Sequence, residues 1–253
     1  MSLKEELDFL PTDVLEAFME HGETAIYHAG EWLPNETSGF KGMRLIEDGN
    51  VTVYAIEESG KTRLCQSGKD EFLGVRSMFS EDTLPVIAWR AEGDVSCIEF
   101  KSKDVFPLLQ GAEGFELRQV LERIARERDY DVLMTLHSLF RCLPKKERKN
   151  ILSKAHPIAL LPNEKLLQKN IENDTLYLIS RGRVEVRKDG QLIASQVTGD
   201  MIGEISVLKK VEAATADVIA QGWCEMLAFP GPLIRSYCEA YADFKREFLH
   251  LQR

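Results

Sequence analysis

The sequence predicts a mainly β protein with additional helices, built from two similar domains in tandem. Two observations support this prediction. Short apolar segments with strict apolar/polar alternation are separated by glycine turns, which is typical of the strands of a β-sandwich or barrel. The same order of segments then occurs twice along the 253 residues. A chain of this length is expected to hold one large domain or two small ones, so the repeat favours two.

The clearest repeated unit is a predicted hairpin. Residues 43–54 contain a short apolar run, a turn at Gly49 and an alternating segment, and residues 176–187 follow the same order around Gly182. These two glycines lie 133 positions apart, whereas matching glycines farther along the two halves lie 129 positions apart. The four-residue difference falls among the predicted hairpin loops, where folds tolerate changes of length.

Helical patterns flank and join the two halves. Residues 11–13 are typical of a helix start, and Pro144 precedes a second helical pattern. Between the halves, residues 112–142 carry apolar residues at helical spacing and a charged opposite face. We place the domain boundary near Arg128 in this helical connector. The predicted domains are residues 1–128 and 129–253.

Composition excludes several classes of function. The 41 acidic and 32 basic residues give a formal net charge of −9 at pH 7. A broad nucleic-acid surface or an anionic-membrane patch, which needs clustered bases, is therefore not expected. No apolar run approaches the ~20 residues of a membrane span, and the N-terminus lacks the pattern of a secretory signal. The five cysteines lack metal-site spacing, so we expect a reducing cytoplasm.

The repeated pattern resembles the cyclic nucleotide-binding domain family. Residues 176–186, Leu-Tyr-Leu-Ile-x-x-Gly-x-Val-x-Val, are similar to the family's hairpin, and residues 198–208 are similar to its phosphate-binding cassette. Residues 214–220 and 224–227 resemble the strand pair that follows the cassette. The resemblance implies an α+β, mainly β protein of two tandem double-stranded β-helix (jelly-roll) domains, each flanked by helices and joined by a helical connector.

In this family the cassette holds a cyclic phosphate. A short helix presents unpaired backbone N–H groups to the phosphate. A Glu after the cassette glycine accepts a hydrogen bond from the ribose 2′-hydroxyl, and an Arg about ten residues on pairs with the phosphate. The resemblance assigns ligand binding in the second domain to Gly203, Glu204, Ile205, Ser206, Lys210, Ala214 and Thr215.

The second domain departs from the family pattern at the position of the arginine. Alignment through Cys224 places that position at Ala214, whereas counting from the cassette glycine places it at Ala213. Neither alanine carries a charge, and the neighbouring Glu212 has the wrong sign. Losing one partner of a buried charged pair costs roughly 2–5 kcal/mol. This energy corresponds to about 30-fold to several thousand-fold in affinity.

The first domain differs from the family's cassette pattern at two positions. Val75 stands at the glutamate position and Pro85 at the arginine position, so both polar anchors are missing. In the second domain, Lys209 and Lys210 follow the cassette. They are either replacement ligands for an anion or part of a solvated turn.

No catalytic group of residues is indicated. Jelly rolls also form metal-dependent enzymes, but such sites need clustered imidazoles, and the five histidines form no H-x-H pair. Ser206 and Lys209 match an S-x-x-K string without its companion motifs. We therefore expect neither enzymatic activity nor a metal or cofactor, and a cyclic nucleotide is the one candidate ligand.

The C-terminal segment carries an apolar stripe. Its members alternate in steps of three and four: Ile234, Tyr237, Tyr241, Phe244, Phe248 and Leu251. This spacing is typical of a coiled-coil seam, but a single amphipathic helix looks similar over so short a span. The stripe either packs on its own β-roll or serves self-association or partner docking.

The expected function is that of a non-enzymatic regulatory protein that acts through a protein partner or self-association, without nucleic acid or membrane contact. The alternative is a cyclic-nucleotide sensor. In a sensor, ligand at residues 203–206 tightens the cassette and shifts the closing helix, and the two states differ in affinity for a partner. Only the sensor is stabilised by a cyclic nucleotide, because only a ligand that binds the native state raises its stability.

Overall fold

The computed structural model describes residues 10–57, 60–79, 86–208 and 213–251. The chain divides into two compact units, Met1–Asp129 and Tyr130–Arg253. The assignment of residues 1–128 and 129–253 to a degenerate domain and a partly retained binding domain remains a prediction.

The first unit contains eight strands among its described residues. They are β1 (Gly22–Tyr27), β2 (Trp32–Leu33), β3 (Gly42–Asp48), β4 (Val51–Glu57), β5 (Gly60–Ser67), β6 (Phe72–Leu73), β7 (Val86–Ala91) and β8 (Val95–Lys101). Short 3-10 turns occupy Glu36–Ser38 and Val75–Met78. The helices are α1 (Thr12–Met19), α2 (Ser102–Gln110) and α3 (Phe115–Leu136), the last of which continues into the second unit.

The second unit repeats this order within its own described residues. Its strands are β9 (His156–Leu160), β10 (Lys165–Leu167), β11 (Thr175–Arg181), β12 (Arg183–Lys188), β13 (Gln191–Val197), β14 (Met201–Ile202), β15 (Asp217–Ala220) and β16 (Cys224–Pro230). Its helices are α4 (Ser138–Arg141), α5 (Lys145–Leu152), α6 (Glu204–Leu208), α7 (Gly231–Ala240) and α8 (Ala242–His250).

Each unit is a roll of two four-stranded antiparallel sheets. The sheet orders are β1-β8-β3-β6 and β2-β7-β4-β5 in the first unit, and β9-β16-β11-β14 and β10-β15-β12-β13 in the second. Each order in the second unit is the corresponding order of the first with every strand number raised by eight. The predicted fold class, two tandem jelly rolls flanked by helices, is therefore confirmed.

The duplication extends to individual hydrogen bonds. Glu31 Oε2 accepts from the backbone N–H of His28 at 2.6 Å. Glu164 Oε2 accepts from the backbone N–H of Leu161 at 2.8 Å. The two glutamates are 133 positions apart, so the offset found between the hairpin glycines also relates these turns.

The hairpin glycines are required by their backbone conformation. Gly49 has φ +87° and Gly182 has φ +94°, in the left-handed region that favours glycine. A Cβ at Gly49 would collide with the carbonyl oxygen of Asp94, and one at Gly182 would lie 2.7 Å from that of Trp223. The sequence motif therefore marks a close approach between the hairpin turn and the turn that precedes β8 or β16.

The first roll separates two apolar regions. In β3, Met43 belongs to the cluster that packs against the helices, and Ile46 belongs to the cluster inside the roll. Because side chains alternate along a strand, Arg44 lies on the same face as Ile46. This charged residue therefore faces the roll interior.

The predicted helix starts are confirmed, and the C-terminal prediction needs one correction. Pro11 and Pro144 immediately precede α1 and α5, and the connector is helical in α3 and α4. The apolar stripe does not lie on one continuous helix, because Tyr241 (φ −130°, ψ 107°) is extended and separates α7 from α8.

No helix in the described part of the chain is long and apolar enough to cross a membrane. All five cysteines are free thiols. Within the described ranges, no three or more His, Cys, Asp or Glu side chains gather where they could hold a metal ion.

Candidate functional site

The cassette of the second unit begins with a sharp turn after β14. Gly203 has φ +90°, and a Cβ there would collide with the carbonyl oxygen of Thr175 and lie 2.9 Å from Asn173 Nδ2. Glycine avoids both problems. The turn directs the chain into α6, which begins at Glu204. The predicted short cassette helix is thus present at the predicted residues.

The side chains of α6 point mainly into the unit. Ser206 and Val207 are buried, and Ile205 is half-buried. Burial raises the pKa of Glu204, and hydrogen bonds from the backbone N–H groups of Glu204 and Gly203 oppose that rise. In the part of the unit that the structure describes, no ion pair reaches this carboxylate.

Of the two positions predicted for the cassette arginine, Ala214 is interior and Ala213 is exposed. Ala214 is only 5% exposed. Its N–H donates to the carbonyl of Ile171 at 2.8 Å, and its carbonyl accepts from the N–H of Asn170 at 2.9 Å. Its neighbours Ala213 and Thr215 are exposed. The alanine side chain is therefore held inside the unit, beside the loop that precedes β11.

Part of the predicted site lies outside the described residues. Lys210, predicted as a candidate anion ligand, falls there, and so do Lys209 and Glu212. The structure brings Gly203, Glu204, Ile205 and Ser206 together in one turn and helix, whereas the roles assigned to these residues remain predictions.

A side chain that the sequence analysis did not single out ties the closing helix to the cassette. Arg235 Nη1 and Nη2 donate to Asp174 Oδ1 and Oδ2 at 2.6 and 2.9 Å. Arg235 Nη1 also donates to the carbonyl of Val207 in α6 at 3.1 Å. The hydrogen bonds from Arg235, helped by its charge, lower the pKa of Asp174. The partners are 61 positions apart, so no local spacing signals the contact.

The apolar stripe lies mostly in the core of the second unit. Its buried members are Ile234, Tyr237, Phe244 and Phe248. The ring of Phe244 lies 6.1 Å from that of Phe140 in α4 and 5.8 Å from that of Tyr237. Tyr241 and Leu251 are half-buried. The stripe packs on its own unit, and its role in self-association or partner docking remains a prediction.

The first unit has a glycine turn at Gly74 that corresponds to the cassette turn at Gly203, but it has no acidic residue after the glycine. Gly74 has φ +72°, and a Cβ there would lie 2.8 Å from the carbonyl oxygen of Gly42. Val75, at the glutamate position, is buried in the helix-side cluster. Pro85 lies outside the described residues.

Charged and aromatic side chains contact one another around the buried Arg44 of the first roll. Arg44 is 1% exposed, and its Nε donates to Glu99 Oε1 at 2.6 Å. The Tyr27 hydroxyl donates to the same oxygen at 2.6 Å, and the Arg44 guanidinium lies 3.7 Å from the ring centre of Phe40. Burial, followed by the bond to Glu99, raises the pKa of Tyr27 to about 12.

The two sites therefore differ in chemistry. The second cassette offers a half-buried carboxyl, Glu204, and a buried alanine, Ala214, at one of the two positions predicted for the arginine. A protonated or ionised carboxyl can bind a hydroxyl. In the first unit Arg44 is paired with Glu99 inside the roll. Its cassette turn has the apolar Val75 at the position where the family has a glutamate.

Comparison with known proteins relates part of the second unit to a family model. Residues 157–241 match the family model described as the cyclic nucleotide-binding domain. The family resemblance inferred from the sequence is thereby confirmed within the second unit. The human voltage-gated delayed rectifier potassium channel KCNH8 is 24% identical over 143 residues, which are 54% of this chain and 13% of the channel.

Two solved structures resemble most of the chain. The regulatory domain of Toxoplasma gondii PKA with cAMP is 13% identical, with 91% of this chain and 86% of that chain covered and a TM-score of 0.40. The regulatory subunit of a cAMP-independent protein kinase A from Trypanosoma brucei is 16% identical, with 92% and 83% covered and a TM-score of 0.39. Neither likeness assigns a ligand to this chain.

Proposed function

We propose, from the cyclic nucleotide-binding domain matched by residues 157–241, that this chain is a non-enzymatic regulatory protein acting through protein contacts. In this proposal neither unit recognises a cyclic phosphate in the manner of the family. The observation that carries it is the buried Ala214 at the position expected for the cassette arginine. The other alignment leads to Ala213, which is equally uncharged.

The electrostatic consequence is large. A cyclic phosphate brings a negative charge, and a site without the guanidinium leaves that charge without its charge-assisted partner. The loss is worth roughly 2–5 kcal/mol. Glu204 adds no compensation, because its carboxyl is repulsive when ionised and neutral when protonated. The cassette is therefore expected to bind cAMP or cGMP weakly.

The first unit supports the same proposal. Its cassette presents the buried Val75 where the family has an acid. Arg44 is buried and its Nε pairs with the partly buried Glu99, whereas its Nη2 has no hydrogen-bond partner among the described residues. We infer that this unit has a structural or protein-binding role.

Cyclic nucleotide titration tests the proposal. Calorimetry with cAMP and cGMP is expected to give no binding to the wild-type chain below millimolar ligand. Ala213→Arg supplies a guanidinium at the exposed one of the two predicted arginine positions, and it is expected to raise cAMP affinity tenfold or more. Ala213→Gln is the uncharged control and should gain nothing. Micromolar binding of either nucleotide to the wild-type chain would contradict the proposal.

The cyclic-nucleotide sensor remains the second candidate, and the bonds of Arg235 favour it. This residue links α7 to α6 and to the start of β11, so a ligand that changes α6 would also change the contacts of α7. Hydrogen exchange should then show altered protection of α7 when cGMP or cAMP is added, and Arg235→Met should abolish the change. Unchanged exchange at saturating nucleotide would exclude the sensor.

Partner and location belong to the same proposal. We propose a protein partner or a second copy as the binding partner and propose neither nucleic acid nor membrane contact. A cytoplasmic location agrees with five free thiols, because reducing compartments keep cysteines unpaired.

A further inference from the structure

We infer that the outer face of the first roll binds an extended acidic segment of a partner protein, which adds as a further strand to the edge strand β5. This inference rests on the proposed function, since it names the kind of partner that the first unit contacts. The surface that carries it, the basic–aromatic face, consists of Trp32, Tyr54, Lys61, Arg63 and Arg90.

On β2 and β7, the strand register places two of these side chains outside the roll. Trp32 pairs with Arg90, and the adjacent pair, Leu33 and Trp89, belongs to the interior cluster. Because side chains alternate along a strand, Trp32 and Arg90 lie on the opposite, outer face. Arg90 is exposed and Trp32 is 42% exposed, so a large ring and a cation are open to solvent together.

On β4 and β5, the same alternation adds the other three side chains. Val53 belongs to the interior cluster, so the half-buried Tyr54 lies on the outer face, where it pairs with Arg63 of β5. Lys61 precedes Arg63 by two positions and therefore shares its face. Lys61 and Arg63 are both exposed.

The aromatic rings hold part of this positive charge together. Lys61 Nζ lies 4.2 Å from the ring centre of Trp32, and the Arg90 guanidinium lies 5.9 Å from it. The ring of Tyr54 lies 5.4 Å from that of Trp32, and Arg90 Nε donates to the carbonyl of Gly30 at 3.0 Å. Exposed cation–π contacts contribute about 0.5–1 kcal/mol. They do not neutralise the cations, which can still pair with an anion.

No acid of the described residues neutralises this face. Within the described ranges, Lys61, Arg63 and Arg90 take part in no ion pair. Glu92, the acid that follows β7, accepts a hydrogen bond from the Thr52 hydroxyl. The three cations are therefore available to a partner.

The corresponding sheet of the second roll is different, because two of its outer cations are paired. Lys165 on β10 lies 3.0 Å from Asp217, and Arg187 on β12 lies 2.7 Å from Glu185. The formal net charge of the whole chain is −9. A face of unpaired cations on such a chain selects an acidic partner by charge complementarity.

The position of β5 in its sheet selects an extended partner. The sheet order is β2-β7-β4-β5, so β5 is an edge strand. The unpaired backbone groups of an edge can bond an added strand. Since an added strand also presents alternate residues on one face, acids at alternate positions come to lie opposite Lys61 and Arg63. A second copy of β5 is disfavoured there, because like charges across two strands are destabilising.

Two labelled peptides of one composition test the inference. One alternates five glutamates with five threonines, and the other carries the same glutamates in one block. Fluorescence anisotropy with the full chain at low salt is expected to show at least fivefold tighter binding of the alternating peptide, and hydrogen exchange should show added protection in β5. No binding of the alternating peptide, equal binding of the two, unchanged exchange in β5, or tighter binding of phosphatidylserine vesicles or oligo-dT overturns the inference.

Matched variants locate the binding surface. Lys61→Met and Arg63→Met should each weaken binding of the alternating peptide at least threefold without lowering the melting temperature. Lys103→Met removes an exposed cation from α2 and is the control that keeps the wild-type affinity. Equal losses in all three variants overturn the inference. Micromolar cAMP binding overturns the proposed function instead and leaves the peptide measurements unchanged, so the two failures are distinguishable.

Discussion

Arg235 holds both carboxylate oxygens of Asp174, at 2.6 and 2.9 Å, and so joins the closing helix to the chain just before β11. The same guanidinium bonds the carbonyl of Val207 at 3.1 Å. One side chain therefore connects α7, the start of β11 and the cassette helix α6. A displacement of α6 would remove a bond from α7, which is a direct physical route between cassette and closing helix.

Removing this guanidinium should destabilise the second unit in a pH-dependent way. We expect Arg235→Met to lower the free energy of unfolding by about 1–2 kcal/mol at pH 7, since charge-assisted bonds contribute somewhat more than neutral ones and this pair is partly solvated. The pKa of Asp174 is lowered in the fold, so the contribution is present above its ordinary value of about 3.9. It is lost as the pH falls through the lowered pKa. Urea unfolding at pH 7 and pH 3 measures both effects.

The matched control for that change is Arg246→Met. Arg246 also pairs with an aspartate, Asp243, but its side chain is 61% exposed. An effect near zero is expected, because exposed pairs contribute little. Equal losses in the two variants would show that Arg235 has no special role.

Neutralising the cassette carboxyl should stabilise the chain. Burial raises the folded-state pKa of Glu204, so folding loses stability as the pH rises from the unfolded value of about 4.3 through the raised value. Glu204→Gln removes this loss and should raise the melting temperature at pH 7, with no difference below about pH 4. A lower melting temperature of the variant at pH 7 would instead indicate that a cation from residues 209–212 pairs with Glu204.

Breaking the ion pair between Arg44 and Glu99 should lower the free energy of unfolding more than the other charge-removing substitutions proposed here. Glu99→Gln leaves the guanidinium of Arg44 without its charged partner in an interior site. Such a loss costs about 3–5 kcal/mol. Urea unfolding measures it, and Glu47→Gln, at an exposed acid on β3, is the control. A loss below about 1 kcal/mol for Glu99→Gln would show that the pair is not a structural part of the roll.

The apolar stripe predicts different outcomes for buried and exposed residues of α8. Phe244→Glu places a charge in the core and should unfold the second unit, seen as lost helical circular dichroism. Leu249→Glu, at an exposed position on the same helix, should keep both fold and mass. If Phe244→Glu remains folded and light scattering shows a halved mass, the stripe is a self-association surface after all.

Much of the fold was predictable because its signals are local. The glycine turns at Gly49 and Gly182, the alternating segments after them and the prolines before α1 and α5 constrain the backbone within a few residues. The four-residue change of offset between the halves was likewise visible in the sequence. The helix break at Tyr241 was not, since a stripe in steps of three and four fits both one helix and two.

The candidate site was predictable only in part. The cassette glycine and the helix after it follow from a contiguous motif, and Ala214 was identified as uncharged from its place in that motif. The burial of Ala214 and the raised pKa of Glu204 depend on which loops and strands surround them. The bonds of Arg235 required coordinates, because their partners belong to separate elements.

By itself, the sequence determined that one strand pattern is used twice and that its anion-binding motif lacks an arginine, since both are properties of consecutive residues. Only the tertiary structure decided what fills each roll. Arg44 bonds to Glu99 across 55 positions, and the Trp89 ring lies 3.5 Å from the Cβ position of Gly74. Such contacts arise when strand pairing brings distant side chains onto one interior face, and no property of a single segment specifies them.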